Sequence, residues 1–405
     1  MSYIKLPKLL LTGCLFTLFA TAVGDAQEAS VPPNRNSPLA EEFTRFAEKQ
    51  SADGKFSGVV LVAKAGLPIL EKASGFSDMK AKTANTLDTK FDLGSMPKMF
   101  TAVAIAQLEE AGRLSYTDVV GKYLPDYPNR IVRDKVTIHE LLTHTAGLGN
   151  YFRPGFIERR LKTVPEYLSF VEEEDLVGDP GGQWKYSNSG YVVLGAIIEK
   201  ASGQDFYAYV RDHIFKPAEM SATGYYTADD HVSNVAIGYT TGALMIRRPG
   251  NAAPNNAVAP GALIRRPPSA GRPQSAVPLR ENGDMHPYRG SPAGGAYSTA
   301  GDMLRFINAL NAFKLLSQKS LSTAEQGKVS TGEAGTKYGY GFLEWHENGK
   351  TIIGHGGGGP GVNGMVQFYP DSGYTVIVLS NFDPPAAETI AAKARELITK
   401  GSSPK

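Results

Sequence analysis

The sequence predicts an α/β (α+β) fold in which strands from both chain ends build one sheet and a helical insertion packs beside it. Apolar runs of strand length occur near the N-terminus, at residues 58–64 and 68–73, and again near the C-terminus, at 351–355, 365–369 and 374–380. The residues between them carry mainly helical periodicity, interrupted by Pro and Gly. Because the strands flank the helices along the chain, we expect the two ends to share one sheet.

Five helices are predicted from apolar residues that recur at helical spacing. Pro97 falls in the first turn of the second helix, where proline is tolerated, and Gly203 ends the third. A Pro-Asp-Ser-Gly turn at 370–373 joins the last two strands. The predicted helices are residues 39–50, 95–112, 191–201, 302–312 and 386–400.

Composition sets only broad limits on function. The chain has 405 residues, of which 42% are hydrophobic, as expected for a globular protein with a substantial core. Its net charge is +2, from 42 basic and 40 acidic residues, which gives no argument for a nucleic-acid partner. The function must therefore be sought in a local site.

The first 26 residues are similar to a secretory signal peptide. Lys5 and Lys8 supply positive charge, and residues 9–23 are almost wholly apolar. This run is short for a membrane span, so a cleaved signal is favoured over a retained anchor, and a periplasmic or secreted location is expected. A lipoprotein-like box ends at Cys14, the only cysteine, but the apolar run continues past it, which favours the signal peptide over lipidation.

The remaining chain divides by composition. The segment 241–292 is rich in Pro and Arg, a composition that buries little, so a mobile surface loop is favoured over a lid that attracts anionic ligands. No segment after the leader is apolar enough to cross a bilayer. The predicted boundaries are a linker at 27–37, a domain at 38–400 and a tail at 401–405, with an α/β part at about 38–94 and 335–400 and a helical part at about 95–334.

Ser95 and Lys98 are the candidates for nucleophilic chemistry. Residues three apart on a helix share a face, so the hydroxyl and the amine would lie side by side. Neutral serine is a poor nucleophile that an adjacent base activates, and a helix N-terminus favours developing negative charge. The same spacing at Ser77 and Lys80 precedes no long amphipathic run, so Ser95 is the favoured nucleophile.

Two further segments carry groups that suit such a reaction. Tyr186 and Asn188 come just before a predicted helix, where the phenol can relay a proton and the carboxamide can hold a substrate carbonyl. A glycine run at 356–359 follows His355 at the end of a predicted strand. Its N–H groups could bind an oxyanion, or the run could be a flexible connection.

Three other patterns are excluded. His139 and His144 are five residues apart rather than four, so they do not share a helix face as a zinc motif requires, and no metal or cofactor is predicted. The segment 359–364 matches a dinucleotide fingerprint but leads into a strand instead of a helix. The absence of a Gly-x-Ser-x-Gly elbow argues against an α/β-hydrolase.

Three short motifs, in chain order, resemble the signatures of the penicillin-recognising serine hydrolases. The similarity is to the class C β-lactamase-like branch, which also contains penicillin-binding proteins, D-Ala-D-Ala carboxypeptidases, D-aminopeptidases and esterases. It covers about residues 38–400 apart from the Pro/Arg-rich segment. The motifs are Ser95-x-x-Lys98, Tyr186-x-Asn188 and His355-x-Gly357.

This resemblance implies a β-lactamase/transpeptidase-like fold with an antiparallel sheet and an acyl-enzyme mechanism without metal. Ser95 would attack a carbonyl while Lys98, with Tyr186, takes its proton, and Tyr186 would later protonate the leaving group. The backbone N–H groups of Ser95 and Gly358 would form the oxyanion hole. The substrate-binding residues that it implies are Asn188, His355, Gly357 and Gly358.

The third motif departs from that of the class C β-lactamases, which carry Lys-Thr-Gly where this chain has a histidine and two glycines. Because histidine is mostly neutral at pH 7, binding of a substrate carboxylate would be weakened. The leading prediction is therefore a secreted serine hydrolase that cleaves a small ester or amide, as an esterase or a D-amino-acid-specific peptidase or amidase. The alternatives are a β-lactamase or D-Ala-D-Ala carboxypeptidase, and a non-catalytic penicillin-binding-like sensor. The partner is then a small-molecule or peptide substrate, and the sequence does not indicate the oligomeric state.

Overall fold

The computed structural model describes residues 1–2, 38–242 and 278–400. Its helices and strands all lie within Pro33–Lys405, which forms one compact unit. The predicted signal peptide with Cys14, the linker, the tail and most of the Pro/Arg-rich segment lie outside the described residues. Those predictions therefore remain expectations.

The described ranges contain ten α-helices and fourteen β-strands. The helices are α1 (Pro38–Ala52), α2 (Lys98–Glu110), α3 (Arg130–Lys135), α4 (Ile138–Leu142), α5 (Val164–Val171), α6 (Asn188–Ser202), α7 (Phe206–Val210), α8 (Ala300–Asn311), α9 (Gln318–Glu325) and α10 (Ala386–Lys400). The strands are β1 (Gly58–Lys64), β2 (Leu67–Ser74), β3 (Phe76–Asp78), β4 (Thr83–Ala84), β5 (Phe91–Asp92), β6 (Tyr239–Thr240), β7 (Arg280–Glu281), β8 (Tyr297–Ser298), β9 (Val329–Ser330), β10 (Thr336–Tyr338), β11 (Leu343–Glu347), β12 (Lys350–Gly359), β13 (Val362–Tyr369) and β14 (Tyr374–Ser380).

One eight-stranded sheet is built from both ends of the chain, as predicted. Its strand order is β2-β1-β14-β13-β12-β11-β10-β9, and all neighbours are antiparallel. The junction between the two ends is the β1–β14 ladder, in which Val60 is opposite Val378. The strands β9 to β11 were not predicted, since they are short and alternate exposed polar residues with buried ones.

Helices cover both faces of this sheet, which explains the continuous apolar runs in its central strands. In β1, Val59 and Leu61 point into the core shared with the helical part, whereas Val60 and Val62 pack against the other face with α1 and α10. This two-residue alternation is the one that strand geometry imposes. The helix α8 contacts β1 and β14 from the side of the helical part.

Two predicted helix starts move by three residues. The second helix begins at Lys98 instead of Ser95, because the residues before it form a tighter turn in which the N–H of Lys98 donates to the carbonyl of Ser95 at 3.1 Å. The helix predicted from 191 begins at Asn188, because Ser187 caps it by accepting the N–H of Gly190 at 2.9 Å.

The described end of the Pro/Arg-rich segment, residues 278–292, is packed against the domain. Its strand β7 pairs with β6. The guanidinium of Arg289 lies 3.5 Å from the ring centroid of Tyr207, and the hydroxyl of Thr101 donates to the carbonyl of Pro292 at 2.6 Å. Residues 278–281, 283 and 284 are exposed, as expected of a surface loop, whereas residue 282 and residues 288 and 290–292 are buried. In the part of the chain that the structure describes, no helix is long and apolar enough to cross a membrane.

Candidate active site

Ser95 is the candidate nucleophile and lies in the turn between β5 and α2, residues 93–97, which is called the nucleophile turn below. Several backbone contacts hold this turn in place. The carboxylate of Asp92 accepts the N–H of Gly94 at 2.7 Å, and the carbonyl of Gly94 accepts the N–H of Gly295 at 2.9 Å. Gly94 has a left-handed conformation, with φ +54°, and a Cβ there would lie 2.7 Å from the backbone nitrogen of Gly358. The turn and the glycine strand β12 are thus in direct contact.

Lys98 is fully buried, and its amine faces three oxygen atoms. The Nζ atom lies 3.3 Å from the Oγ of Ser95, 2.6 Å from the Oδ1 of Asn188 and 2.5 Å from the carbonyl oxygen of Ala293. Burial lowers the pKa of the Lys98 amine well below its ordinary value, which favours the neutral form. A neutral amine has two N–H donors and one lone pair. The two carbonyl oxygens accept the donors, and the lone pair remains for the hydroxyl of Ser95.

The ring of Tyr186 lies beside this amine, with its centroid 4.8 Å from the Nζ of Lys98. Burial raises the pKa of the Tyr186 phenol well above 10, while the neighbouring Ser95 hydroxyl acts in the opposite direction. Among the described residues its buried hydroxyl has no hydrogen-bond partner of standard geometry. Tyr186 therefore stays protonated, next to both Ser95 and Lys98.

Asn188 is the first residue of α6, and a residue that the sequence did not indicate fixes its carboxamide. The Oδ1 of Asn150 accepts both the backbone N–H of Asn188, at 3.0 Å, and its Nδ2, at 2.7 Å. The Nδ2 of Asn150 donates to the carbonyl of Tyr186 at 3.1 Å. This arrangement aims the Oδ1 of Asn188 at Lys98. A single asparagine in a loop carries no sequence signal for such a role.

The glycine run is part of β12 and is not a flexible connection. The pairing of β12 with β11 ends at Gly354, whereas its pairing with β13 continues to Gly359. A Cβ on Gly357 would lie 2.0 Å from the carbonyl oxygen of Leu93 and 2.9 Å from the backbone nitrogen of Ser95. The chain therefore needs glycine at this position, because the nucleophile turn packs directly on the strand.

His355 precedes the glycines and is fully buried. Its Nδ1 donates to the carbonyl of Gly356 at 2.6 Å, and its Nε2 lies 3.0 Å from the hydroxyl of Tyr338. Burial is the main cause that lowers the pKa of the His355 imidazole to about 3. The ring is thus neutral at physiological pH, with both nitrogens in contact with protein atoms.

The two histidines of the rejected zinc motif have separate partners. The Nδ1 of His139 lies 2.8 Å from the hydroxyl of Tyr340, whereas the Nδ1 of His144 accepts the N–H of Ser187 at 3.1 Å. Burial lowers the pKa of His144 well below its ordinary value. Nowhere in the described ranges do three His, Cys, Asp or Glu side chains come together as metal ligands.

The structure therefore brings Ser95, Lys98, Tyr186 and Asn188 together around one amine, and it places Gly357 and Gly358 against the nucleophile turn. His355 lies in the same region but offers no exposed atom. Sequence reasoning missed Asn150 and the carbonyl group of Ala293. The latter is 195 residues from Lys98 along the chain, and a backbone carbonyl leaves no trace in a residue pattern.

Comparisons with known proteins place this chain in a family. The family model described as Beta-lactamase matches residues 43–400. A penicillin-binding protein of Bacillus subtilis (strain 168) is 30% identical over 360 residues, which cover 86% of this chain and 72% of that protein. The esterase EstB of Burkholderia gladioli is 30% identical over 305 residues, covering 70% of this chain and 74% of that protein.

A solved structure agrees with these relatives. The crystal structure of a penicillin-binding protein from Bacillus halodurans superposes with a TM-score of 0.70 at 28% identity, covering 87% of this chain and 99% of that chain. The β-lactamase/transpeptidase-like fold that the motifs implied is thus confirmed. This chain belongs to the Beta-lactamase family, a family of serine hydrolases.

Proposed function

We propose that this protein hydrolyses a small ester or amide through an acyl-enzyme on Ser95. The observation that carries the proposal is the buried amine of Lys98, which lies within hydrogen-bond distance of the Ser95 hydroxyl and of two carbonyl oxygens. In its neutral form the amine donates its two hydrogens to the carbonyl oxygens and directs its lone pair at the hydroxyl of Ser95. A neutral amine at this distance is a general base for the serine.

In the acylation step, the proton of Ser95 passes to Lys98 as Oγ bonds to the substrate carbonyl carbon. The negative charge that develops on the carbonyl oxygen is stabilised by the backbone N–H groups of Ser95 and Gly358. These two segments are in contact, since a Cβ on Gly94 would lie 2.7 Å from the nitrogen of Gly358. Asn188 binds the acyl side of the substrate through its carboxamide.

Collapse of the tetrahedral intermediate breaks the bond to the leaving alcohol or amine, which takes a proton from the Tyr186 phenol as Lys98 returns one to Tyr186. The high pKa of the phenol suits it to this role, because it stays protonated at neutral pH. Water then attacks the acyl-enzyme, with Lys98 again accepting a proton. The bond between the acyl carbon and the Oγ of Ser95 then breaks as Lys98 returns the proton to Oγ, which releases the acid and regenerates Ser95.

The charge of the site favours a substrate without a carboxylate next to the scissile bond. His355 occupies the place where the class C motif has a lysine, and its pKa of about 3 keeps it neutral. Buried and bonded on both nitrogens, it supplies no cation for a β-lactam or a peptide C-terminus. The similarity to an esterase over 70% of the chain supports the same choice.

We also propose that the mature enzyme acts outside the cytoplasm. This rests on the N-terminal sequence alone, with Lys5 and Lys8 before the apolar run at residues 9–23. N-terminal sequencing of the protein from a periplasmic or culture-medium fraction tests it. A new terminus near residue 27 is expected, and recovery of the full-length chain in the cytoplasm would contradict it.

A substrate panel tests the catalytic proposal. Purified residues 27–405 and the Ser95→Ala variant are incubated with p-nitrophenyl acetate and butyrate, D- and L-phenylalanine amide, D-Ala-D-Ala peptides and nitrocefin. Hydrolysis of an uncharged ester or amide that is lost in Ser95→Ala is expected. Turnover confined to nitrocefin or the D-Ala-D-Ala peptide would favour the β-lactamase or carboxypeptidase alternative. Stable acylation without turnover of any substrate would favour the sensor.

A further inference from the structure

A network of hydrogen bonds through Asp92, His286 and Asn282 runs behind the nucleophile turn, and the reaction scheme above does not use these residues. The network lines a cavity of about 300 Å³ beside β5 and the tip of the β12–β13 hairpin. The Oδ1 of Asp92 accepts the N–H of Gly94, and the Oδ2 of Asp92 lies 3.2 Å from the Nδ1 of His286. The other ring nitrogen of His286 contacts the side-chain amide of Asn282.

The hydrogens that link these three side chains can be assigned. The Nδ2 of Asn282 donates one hydrogen to the Nε2 of His286 and the other to the carbonyl of Pro360, at 2.7 Å. A ring that accepts at Nε2 carries its hydrogen on Nδ1, where it donates to the Asp92 carboxylate. This arrangement of hydrogen bonds satisfies both neighbours of the His286 ring.

The hydrogen-bond network ends at the two segments that carry the proposed oxyanion donors. One end is the N–H of Gly94, the residue before Ser95. The other is the carbonyl of Pro360, two residues after Gly358. The hairpin tip is closely packed here, since a Cβ on Gly361 would lie 2.7 Å from the Nδ2 of Asn282.

We infer that His286 is a positioning residue that sets the distance between the two oxyanion donors, Ser95 N–H and Gly358 N–H, by linking their segments through Asp92 and Asn282. The inference rests on the proposed acyl-enzyme mechanism. It also assigns a role to the described end of the Pro/Arg-rich segment, which delivers both Asn282 and His286 to the site. Oxyanion stabilisation depends on donors fixed in advance, so a loosened hairpin tip weakens the transition state more than substrate binding.

The position of the ring makes the inference testable. The His286 side chain keeps 23% of its surface exposed and borders the cavity, so truncation leaves no enclosed void. Glutamine can replace both functions of the ring, because its amide offers an NH₂ group as donor and a carbonyl oxygen as acceptor. Asparagine is shorter and can reach Asp92 without reaching Asn282.

The experiment compares His286→Ala, His286→Asn and His286→Gln with the wild type and with His231→Ala, which removes an exposed histidine. It measures kcat and KM for the best ester of the panel, and the inhibition constant of a phenylboronic acid, whose tetrahedral adduct mimics the oxyanion. In His286→Ala and His286→Asn, kcat should fall about tenfold while KM stays within twofold of the wild-type value. The affinity for the boronate should also fall about tenfold. Gln should recover most of both values, and His231→Ala should match the wild type.

Unchanged kcat in His286→Ala, a change in KM alone, or a loss of kcat without weaker boronate binding would overturn the inference. If His286→Ala does not fold, the Asn and Gln pair decides the question, since both keep a polar group of similar size. A wild type that hydrolyses no substrate and forms no adduct at Ser95 would instead count against the proposed function. The failures of the two claims are thus distinguishable.

Discussion

The amine of Lys98 lies 3.3 Å from the hydroxyl of Ser95, in a site where carbonyl oxygens of Asn188 and Ala293 accept both hydrogens of its neutral form. In the neutral form this arrangement leaves the lone pair of the amine for the hydroxyl of Ser95. Because the lysine is fully buried, its charged form is disfavoured. In the proposed mechanism this burial is what lets the amine act as a base for Ser95.

The pH dependence of hydrolysis should have an acid limb only. Burial lowers the pKa of Lys98, and the neutral amine is the active form, so kcat/KM should rise with pH through this lowered value. The pKa of Tyr186 is raised well above 10, so no loss is expected up to pH 10. A profile from pH 4 to 10 with an uncharged ester measures this, and Tyr186→Phe should lower the plateau and keep the limb. A rate that climbs only near pH 10 would show that Lys98 is charged at neutral pH.

Two glycines of the same strand should respond differently to alanine. In Gly357→Ala the new methyl group would lie 2.0 Å from the carbonyl oxygen of Leu93, so the nucleophile turn must move. We expect activity to fall at least about 100-fold and stability by roughly 1–3 kcal/mol. A Cβ on Gly359 meets no atom within 4 Å, so Gly359→Ala is the matched control and should stay near the wild type. Equal effects of both substitutions on activity and melting temperature would contradict the contact.

Asn150 should matter to catalysis although it does not contact Ser95 or Lys98 through any described hydrogen bond. Its removal in Asn150→Ala leaves two N–H groups of Asn188 without their acceptor and frees the carboxamide to rotate. We expect kcat/KM to fall about tenfold, which corresponds to roughly 1.4 kcal/mol. Asn348→Ala is the control, since it breaks one hydrogen bond to Thr399 at the end of α10. An Asn150→Ala enzyme with wild-type kinetics would exclude a positioning role.

Acid should destabilise the fold through His355. The folded protein keeps this ring neutral down to about pH 3, whereas the unfolded chain takes up the proton near pH 6.5. Between these values the unfolded state binds more protons, so the free energy of unfolding falls as the pH is lowered through this window. In His355→Gln the slope of the free energy of unfolding against pH should decrease by up to about 1.4 kcal/mol per pH unit. Urea unfolding from pH 4 to 6.5 measures this slope. An unchanged slope would show that His355 is protonated in the folded state.

The central architecture could be predicted because burial on both faces leaves a continuous apolar run. Residues 58–64 and 374–380 have this pattern, and they pair with each other along their whole length. The short strands β9 to β11 could not be predicted, since their exposed positions carry polar side chains and only two to five residues form each strand. Helix starts were misplaced where capping, not periodicity, decides them, as at Ser187.

The candidate site could be predicted as far as its chemistry lies in side chains at fixed spacing. Ser95 and Lys98 are separated by one turn, so their contact follows from sequence. The carbonyl of Ala293 and the carboxamide of Asn150 come from distant segments, and only the fold brings them to Lys98 and Asn188. The burial of His355 was also unexpected, because a single residue type does not reveal its exposure.

The most direct test of nucleophile activation is the intact mass of purified residues 27–405 after treatment with a fluorophosphonate probe. The wild type should gain one adduct, mapped to Ser95 by peptide sequencing, while Ser95→Ala gains none and keeps its melting temperature. The control Ser77→Ala, which changes another serine with a lysine three residues on, should label like the wild type. An adduct of equal yield in Ser95→Ala, or none on a folded wild type, would contradict the account.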